Sequence, residues 1–341
     1  MDVVSKTSSS RPSVSSTSLS GLQIKNLSVS FQVNKTQVKA LDNVSLAVSP
    51  GEIVGLVGES GSGKTLTALS VMRLLPPPPA CLTDGFVFFD KKNILTASQK
   101  ELKALRGIRI AMIPQDPSSA LNPVFTVGSQ IAEMFRIHLG INRKQAAHRA
   151  VDILKSTGVE DPHKRFLQFP HELSVGQKQR VLTAIAIACR PEVLLADEPT
   201  SSLDVTVQAR ILGLIAKLKE QLGFCALFIT HDLSLVDPLC SRLIVLYGGQ
   251  VVEEGPTKEI LLEPAHHYTK GLLNCIPGEF SFHKTESLKS IPGKQPNPDH
   301  RPPGCIFSPR CPNVRRHCHK EQPVIQSFSA TRRVRCHFPL V

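Results

Sequence analysis

The chain has 341 residues and is 41% hydrophobic and 20% charged, an ordinary globular composition with room for about two domains, and one that excludes a wholly disordered or fibrous protein. No uncharged apolar run approaches the roughly 18 residues that cross a bilayer as a helix. With 40 Lys and Arg against 28 Asp and Glu the net charge is +12, which suits an anionic partner without choosing among nucleotide phosphates, nucleic acid and a membrane face, while zero Trp and two Tyr count against a base-stacking surface.

Residues 1–20 hold nine serines and few apolar residues, so a disordered tail is expected there. From Leu22 to Phe31 apolar and polar residues alternate as in half-buried strands. Glu52–Val57 is a short apolar run that reads as a buried strand, and a helix is expected from Lys64 to Leu75, stopped by Pro76–Pro79. Further buried strands are predicted at 108–113, 193–196, 226–229 and 243–246, separated by helical patterns at 181–189 and 205–222. Strands alternating with helices predict an α/β core with a largely parallel sheet. Between them, 116–180 is mostly helical, with helices expected at 128–138 and 143–157, and reads as an inserted lobe. Residues 274–304 are proline-rich with little periodicity and read as an extended connector. Residues 296–341 carry eight Lys/Arg against two Asp/Glu.

Two motifs carry chemistry. Gly58-Glu59-Ser60-Gly61-Ser62-Gly63-Lys64-Thr65 fits G-x-x-x-x-G-K-[ST] between a predicted strand and a predicted helix. Gly58, Gly61 and Gly63 let the backbone curl, so that N–H groups from Ser60 onward point around phosphate oxygens at a helix N-terminus. Lys64 is suited to the outer phosphates and the Thr65 hydroxyl to Mg²⁺. Val193-Leu194-Leu195-Ala196-Asp197-Glu198 places two acids at the carboxyl end of a strand, where α/β sheets collect ligands. Asp197 is then the metal carboxylate, acting through water, and Glu198 polarises the attacking water.

From about Leu22 to Pro277 the chain resembles the ATP-binding subunits of ABC transporters. Gln115 resembles the Q-loop glutamine, which that likeness places on the metal and the nucleophilic water and links to the membrane subunit. Leu173-Ser174-Val175-Gly176-Gln177 resembles the LSGGQ signature, implying that Ser174, Gly176 and Gln177 reach the γ-phosphate bound by an opposite subunit. Val175 departs from the usual glycine, and its β-branch narrows the allowed backbone. Ser202-Leu203-Asp204 resembles the D-loop, His231 the switch histidine on the γ-phosphate and, more loosely, Phe31 the aromatic stacked on adenine.

Finer matches at Gln115-Asp116-Pro117, Leu121-Asn122-Pro123, Thr126-Val127-Gly128, His267-Tyr268-Thr269 and Ile276-Pro277 resemble the dipeptide/oligopeptide and nickel import ATPases. The resemblance implies an α/β P-loop ABC ATPase core over 21–273, with an antiparallel N-terminal β part and the helical lobe, followed by a C-terminal extension over 274–341. It also implies ATP and Mg²⁺ as ligands and head-to-tail pairing with a second ATPase subunit. Two transmembrane permease subunits and, indirectly, an extracytoplasmic substrate-binding protein would complete the assembly. The chain would then sit peripherally on the cytoplasmic face of the inner membrane. A soluble ABC ATPase acting on nucleic acid is the rival class. A single phosphate loop and the absence of sustained heptads count against it, and no nucleic acid is expected.

Cys305, Cys311, Cys318 and Cys336 fall in a basic tail too small for its own core, which suggests a metal staple, either iron–sulfur or Zn²⁺. His317, His319 and His337 are alternative zinc ligands. Neither the usual zinc nor the ferredoxin spacing is present. Some peptide-importer ATPases resemble this tail and carry a [4Fe–4S] cluster in it, so the likeness favours that cluster.

Overall fold

The computed structural model describes residues 21–33, 36–201, 203–276 and 290–340. The serine-rich tail and residues 277–289 of the expected connector lie outside the described residues. The strands are β1 (Leu22–Val33), β2 (Thr36–Val48), β3 (Ile53–Val57), β4 (Cys81–Phe89), β5 (Lys92–Asn93), β6 (Ile110–Ile113), β7 (Val193–Asp197), β8 (Cys225–Thr230), β9 (Arg242–Tyr247), β10 (Gln250–Pro256), β11 (Gln326–Ser327) and β12 (Arg333–Val334). The helices are α1 (Lys64–Val71), α2 (Gln99–Leu105), α3 (Pro117–Ala120), α4 (Val127–Leu139), α5 (Arg143–Ser156), α6 (Pro162–Phe166), α7 (Val175–Ile187), α8 (Val205–Leu222), α9 (Thr257–Leu262), α10 (His267–Asn274) and α11 (Arg316–Lys320).

Two sheets organise them. An antiparallel sheet has the order β2-β1-β4-β5, and a larger one has the order β11-β12-β10-β9-β3-β8-β7-β6. In the second, β9, β3, β8, β7 and β6 are mutually parallel. Every residue of β3, β7 and β8 is buried, as expected for strands covered on both faces, and this is why they read as apolar runs without alternation. The helical lobe has its own core, in which Ile131 and Phe135 of α4 meet Ala146, Ala150 and Leu154 of α5 and Val181 of α7.

Three expectations need correction. The helix after the phosphate loop ends at Val71, before Leu75: Arg73 turns into the left-handed region at φ 50° and Leu74 N–H returns to Leu69 O, so the chain has left the helix before the prolines. The helix expected at 181–189 begins at Val175, because Ser174 and Gln177 form a capping box at its start. Finally, residues 290–304 of the expected connector form no helix or strand, but the cysteine-bearing segment beyond them, expected to be too small to have a core, does have one to pack into. Cys305, Ile306, Phe307 and Cys318 are buried in the same core as Val57, Tyr247 and Tyr268, and β11 and β12 extend the main sheet. The tail needs no core of its own because it shares the one beneath the parallel strands.

Candidate active site

The order β8-β7-β6 brings three loops side by side at the carboxyl ends of the strands, with the loop after β3 alongside β8. Gly58–Gly63 leaves β3 and enters α1, whose first residue is Lys64. Gly58 is confined to glycine by space: a Cβ there would lie 2.1 Å from Leu246 O, with φ +155°. Gly63 caps α1 at φ 104°. Lys64 is buried, and its Nζ donates to Gly58 O at 2.8 Å and Glu59 O at 3.0 Å.

The acids after β7 face this loop. The Thr65 hydroxyl donates to Asp197 Oδ1 at 3.2 Å, and Lys64 Nζ lies 3.8 Å from Glu198 Oε1. Gln115, just past β6, donates through Nε2 to Glu198 Oε2 at 3.0 Å, and His231 Nδ1, just past β8, stands 3.1 Å from the same oxygen. Glu198 holds φ 45°, an uncommon conformation for a residue with a side chain, and its N–H is tied to Ile229 O at 2.9 Å. Burial pushes the Lys64 ammonium below its usual range, against the pull of Glu198, Asp197 and Glu59. Burial also raises the Asp197 carboxyl, offset in part by the Thr65 hydroxyl. A ligand bringing anionic phosphates together with a divalent cation suits both groups, since each then gains an opposite charge.

Six residues singled out from sequence, Lys64, Thr65, Gln115, Asp197, Glu198 and His231, thus meet in one place, and Ser60, Gly61 and Gly63 line the same cleft. The signature residues have other partners. Ser174 Oγ accepts from Gln177 N–H and Gln177 Oε1 accepts from Ser174 N–H, which start α7. Val175 occupies the first helical position with its side chain 40% exposed and a φ outside the left-handed region, so its β-branch fits the backbone. Asp204 caps α8 by accepting from Val207 N–H at 2.9 Å, while Ser202 lies outside the described residues. Phe31 is half-buried on β1 and packs against the core shared by the two sheets.

Sequence reasoning missed how the phosphate loop is held from behind. Glu59 N–H donates to Tyr268 Oη at 2.8 Å and the Glu59 carboxylate is gripped by Arg310. Tyr268 lies in the His267-Tyr268-Thr269 match and Arg310 in the basic cysteine-bearing tail, and nothing local assigns either to the loop.

The four tail cysteines line one small cavity together with His266, His267 and His337. All are free thiols, with Cys305 and Cys318 buried and Cys311 and Cys336 half-buried. Burial first, and the neighbouring thiols after it, push Cys305, Cys311 and Cys336 upward. Four soft donors around one void are of the chemical type that suits a thiophilic metal group. As placed, however, no three His, Cys, Asp or Glu among the described residues form a ready-made metal-ligand group.

A family model described as "ABC transporter" matches residues 41–201, and one described as "Oligopeptide/dipeptide transporter, C-terminal region" matches 252–318. The dipeptide transport ATP-binding protein DppD of Haemophilus influenzae is 44% identical over 319 residues, covering 94% of this chain and 96% of that protein. The chain belongs to the ATP-binding subunits of dipeptide/oligopeptide ABC transporters. The Escherichia coli DppD is 43% identical, with 94% and 97% coverage, and a putative peptide import ATP-binding protein of Brucella abortus is 44% identical, with 92% and 94% coverage. The dimeric ATP-binding cassette MJ0796, in a post-hydrolysis state bound to ADP and Pi, superposes with a TM-score of 0.62 at 28% identity over 69% of this chain and 98% of that one. As an ABC-family ATPase subunit the chain uses ATP and Mg²⁺. No helix among its described residues is long and apolar enough to cross a membrane.

Proposed function

We propose that this ABC ATPase subunit powers import of di- and oligopeptides through two transmembrane permease subunits, fed by an extracytoplasmic substrate-binding protein, from the cytoplasmic face of the inner membrane. The observation that carries its ATPase part is the Glu198 carboxylate, held by Gln115 and His231 opposite Lys64 of the phosphate loop, and its solute rests on the match of residues 252–318 to the oligopeptide/dipeptide transporter C-terminal region.

In this reading Lys64 leaves the carbonyls of Gly58 and Glu59 for the outer phosphates, and the N–H groups from Ser60 to Thr65 receive the anionic oxygens. Thr65, Gln115 and Asp197 would hold Mg²⁺, which would supply charge neutralisation at the outer phosphates. Phe31 covers the adenine. Glu198 orients and deprotonates the attacking water while His231 fixes the carboxylate and contacts the γ-phosphate. Ser174, Gly176, Gln177 and Asp204 serve the nucleotide of a facing ATPase subunit, a copy or a paralogue. Supporting this is the signature's position at the N-terminus of α7, whose first-turn amides leave it an anion-binding end. Closure over ATP and reopening after hydrolysis bias the permease between its two states through differential affinity.

Cys305, Cys311, Cys318 and Cys336 would hold a [4Fe–4S] cluster, with Zn²⁺ as the competing occupant. Either would cross-link the segments carrying Cys305, Cys311, Cys318 and Cys336, adding to the packing that they share with the main core. The convergence of four thiols on one cavity supports this assignment.

The test is co-purification with the permease subunits in mild detergent, followed by reconstitution in vesicles. Peptide uptake that needs ATP and is lost in Lys64→Ala, together with a brown sample absorbing in the visible, is the expected result. A lack of Mg²⁺-dependent ATP affinity, or tight DNA or RNA binding at physiological salt, would overturn the transporter reading. Uptake of nickel in place of peptide would overturn the solute, and a colourless sample containing zinc would overturn the cluster.

A further inference from the structure

The back of the phosphate loop is built by the C-terminal extension. Arg310 is almost wholly buried. Its Nη1 donates to Glu59 Oε2 at 2.8 Å and its Nη2 to Glu59 Oε1 at 3.1 Å, a two-pronged pairing that fixes the carboxylate in plane as well as in place. The guanidinium is itself anchored from the other side: Nε donates to Pro292 O at 2.9 Å, Nη2 to Ile291 O at 3.4 Å and Nη1 to Tyr247 Oη at 3.4 Å. Next along the loop, the Gln295 amide, in its hydrogen-bonded orientation, donates to Ser60 O at 3.1 Å and accepts from Gly248 N–H at 2.8 Å. The Glu59 N–H is engaged by Tyr268 Oη, and Tyr247, Tyr268 and Phe307 pack ring against ring, with centroids 4.5 to 5.4 Å apart. Two consecutive loop residues are therefore held by side chains that lie more than 200 residues downstream in sequence.

We propose that Arg310 is a positioning residue for nucleotide binding, holding Glu59 so that the phosphate loop keeps its anion-binding curl before ATP arrives. Its reach to the phosphates is indirect. With Glu59 pinned by its carboxylate and its N–H turned outward to Tyr268, the peptide units at Gly58 and Glu59 present their carbonyls to Lys64. The amides that follow then have one orientation left to them. A preorganised loop binds without spending affinity on ordering, whereas a loose one loses affinity before any contact with the nucleotide changes. Arg310 also lies one residue before Cys311. The segment carrying Cys305 and Cys311 and the loop that receives ATP are thus joined by one ion pair, its guanidinium buried and its carboxylate partly exposed. Linkage requires the effect to run both ways: if the extension steadies the loop for ATP, ATP steadies the extension.

The experiment uses the full chain in its transporter complex, comparing Arg310→Ala, Arg310→Lys and Glu59→Gln. For Arg310→Ala the KM for ATP is expected to rise about 10- to 100-fold while kcat at saturating ATP stays within about twofold. Arg310→Lys restores part of the loss, since a single ammonium keeps the charge but cannot fork across both oxygens. Combining Glu59→Gln with Arg310→Ala adds little to either alone. In the unsubstituted chain, ATP slows amide hydrogen exchange across 305–311, and that protection is absent in Arg310→Ala, whose metal content remains that of the unsubstituted protein. Unchanged KM in all three variants would overturn the proposal. So would a fall in kcat with KM preserved, or exchange at 305–311 indifferent to ATP in the unsubstituted chain. If Arg310→Ala does not fold, Arg310→Lys and Glu59→Gln still decide the KM, and loss of metal in parallel with ATP affinity in those variants would reduce Arg310 to a general staple. None of these readouts depends on which solute is carried or on which metal the thiols hold.

Discussion

Gln115 and His231 converge on one atom, Glu198 Oε2, at 3.0 and 3.1 Å from opposite sides. The strand order explains it, because Glu198 follows β7 and the other two follow its neighbours β6 and β8. Glu198→Gln keeps the shape of this contact and removes the base. Hydrolysis is expected to fall about 100-fold or more, with ATP affinity retained, as measured by phosphate release beside equilibrium nucleotide binding. A residual rate near that of the unsubstituted protein would remove Glu198 from the chemistry.

Gly58 and Gly51 form a matched pair of tests. A side chain at Gly58 would meet Leu246 O at 2.1 Å, whereas Gly51 has φ +69° but nothing within 4 Å of the added carbon. Gly58→Ala should cost about 2–4 kcal/mol or abolish folding, and Gly51→Ala about 1–2 kcal/mol from backbone conformation alone. Denaturant midpoints measured side by side check the difference, and equal losses would mean that the loop tolerates displacement.

Val175 presents its side chain to solvent at the N-terminus of α7. Val175→Gly is expected to change stability by less than about 1 kcal/mol, since the position is the first of the helix. In the assembled transporter the same substitution should raise ATP turnover severalfold by clearing the approach of a facing nucleotide to the signature amides. Turnover assays on the complex decide it, and an unaltered or lower rate would show that the isopropyl group is no obstacle.

Complete burial pushes His266 down to about 3, and its Nδ1 accepts from Tyr268 N–H at 3.0 Å, a bond that the neutral ring alone can make. Unfolding restores an ordinary histidine that titrates near 6.5. Above that value both states are neutral and nothing is lost. As pH falls from about 6.5 toward 3 only the unfolded chain takes up this proton, so stability declines by up to about 1.4 kcal/mol per pH unit from this group. His266→Asn keeps a cap acceptor and should flatten the slope of stability against pH by about one proton over that window. Chemical denaturation at pH 7, 6, 5 and 4 measures it, and parallel slopes would show that His266 protonates in place.

Much of this protein was legible in one dimension because its chemistry is written in local runs. Gly58–Thr65 needs only eight neighbouring residues to make an anion cradle, and a wholly buried parallel strand such as β7 announces itself as an apolar run ending in acids. Gln115, Glu198 and His231 were each recognisable by motif, but their meeting at one carboxylate oxygen follows from β6, β7 and β8 lying side by side. Strand order depends on which buried faces pack together, and no spacing in the chain expresses it. The tail shows the same limit more sharply. Beyond the proline-rich connector it reads as a segment too small for a core, yet Ile306 and Phe307 are buried in one supplied by strands far earlier in the chain. A short segment that borrows a core needs no amphipathic pattern of its own, so Arg310 became visible as the partner of Glu59 only once the burial of those neighbours had brought it there.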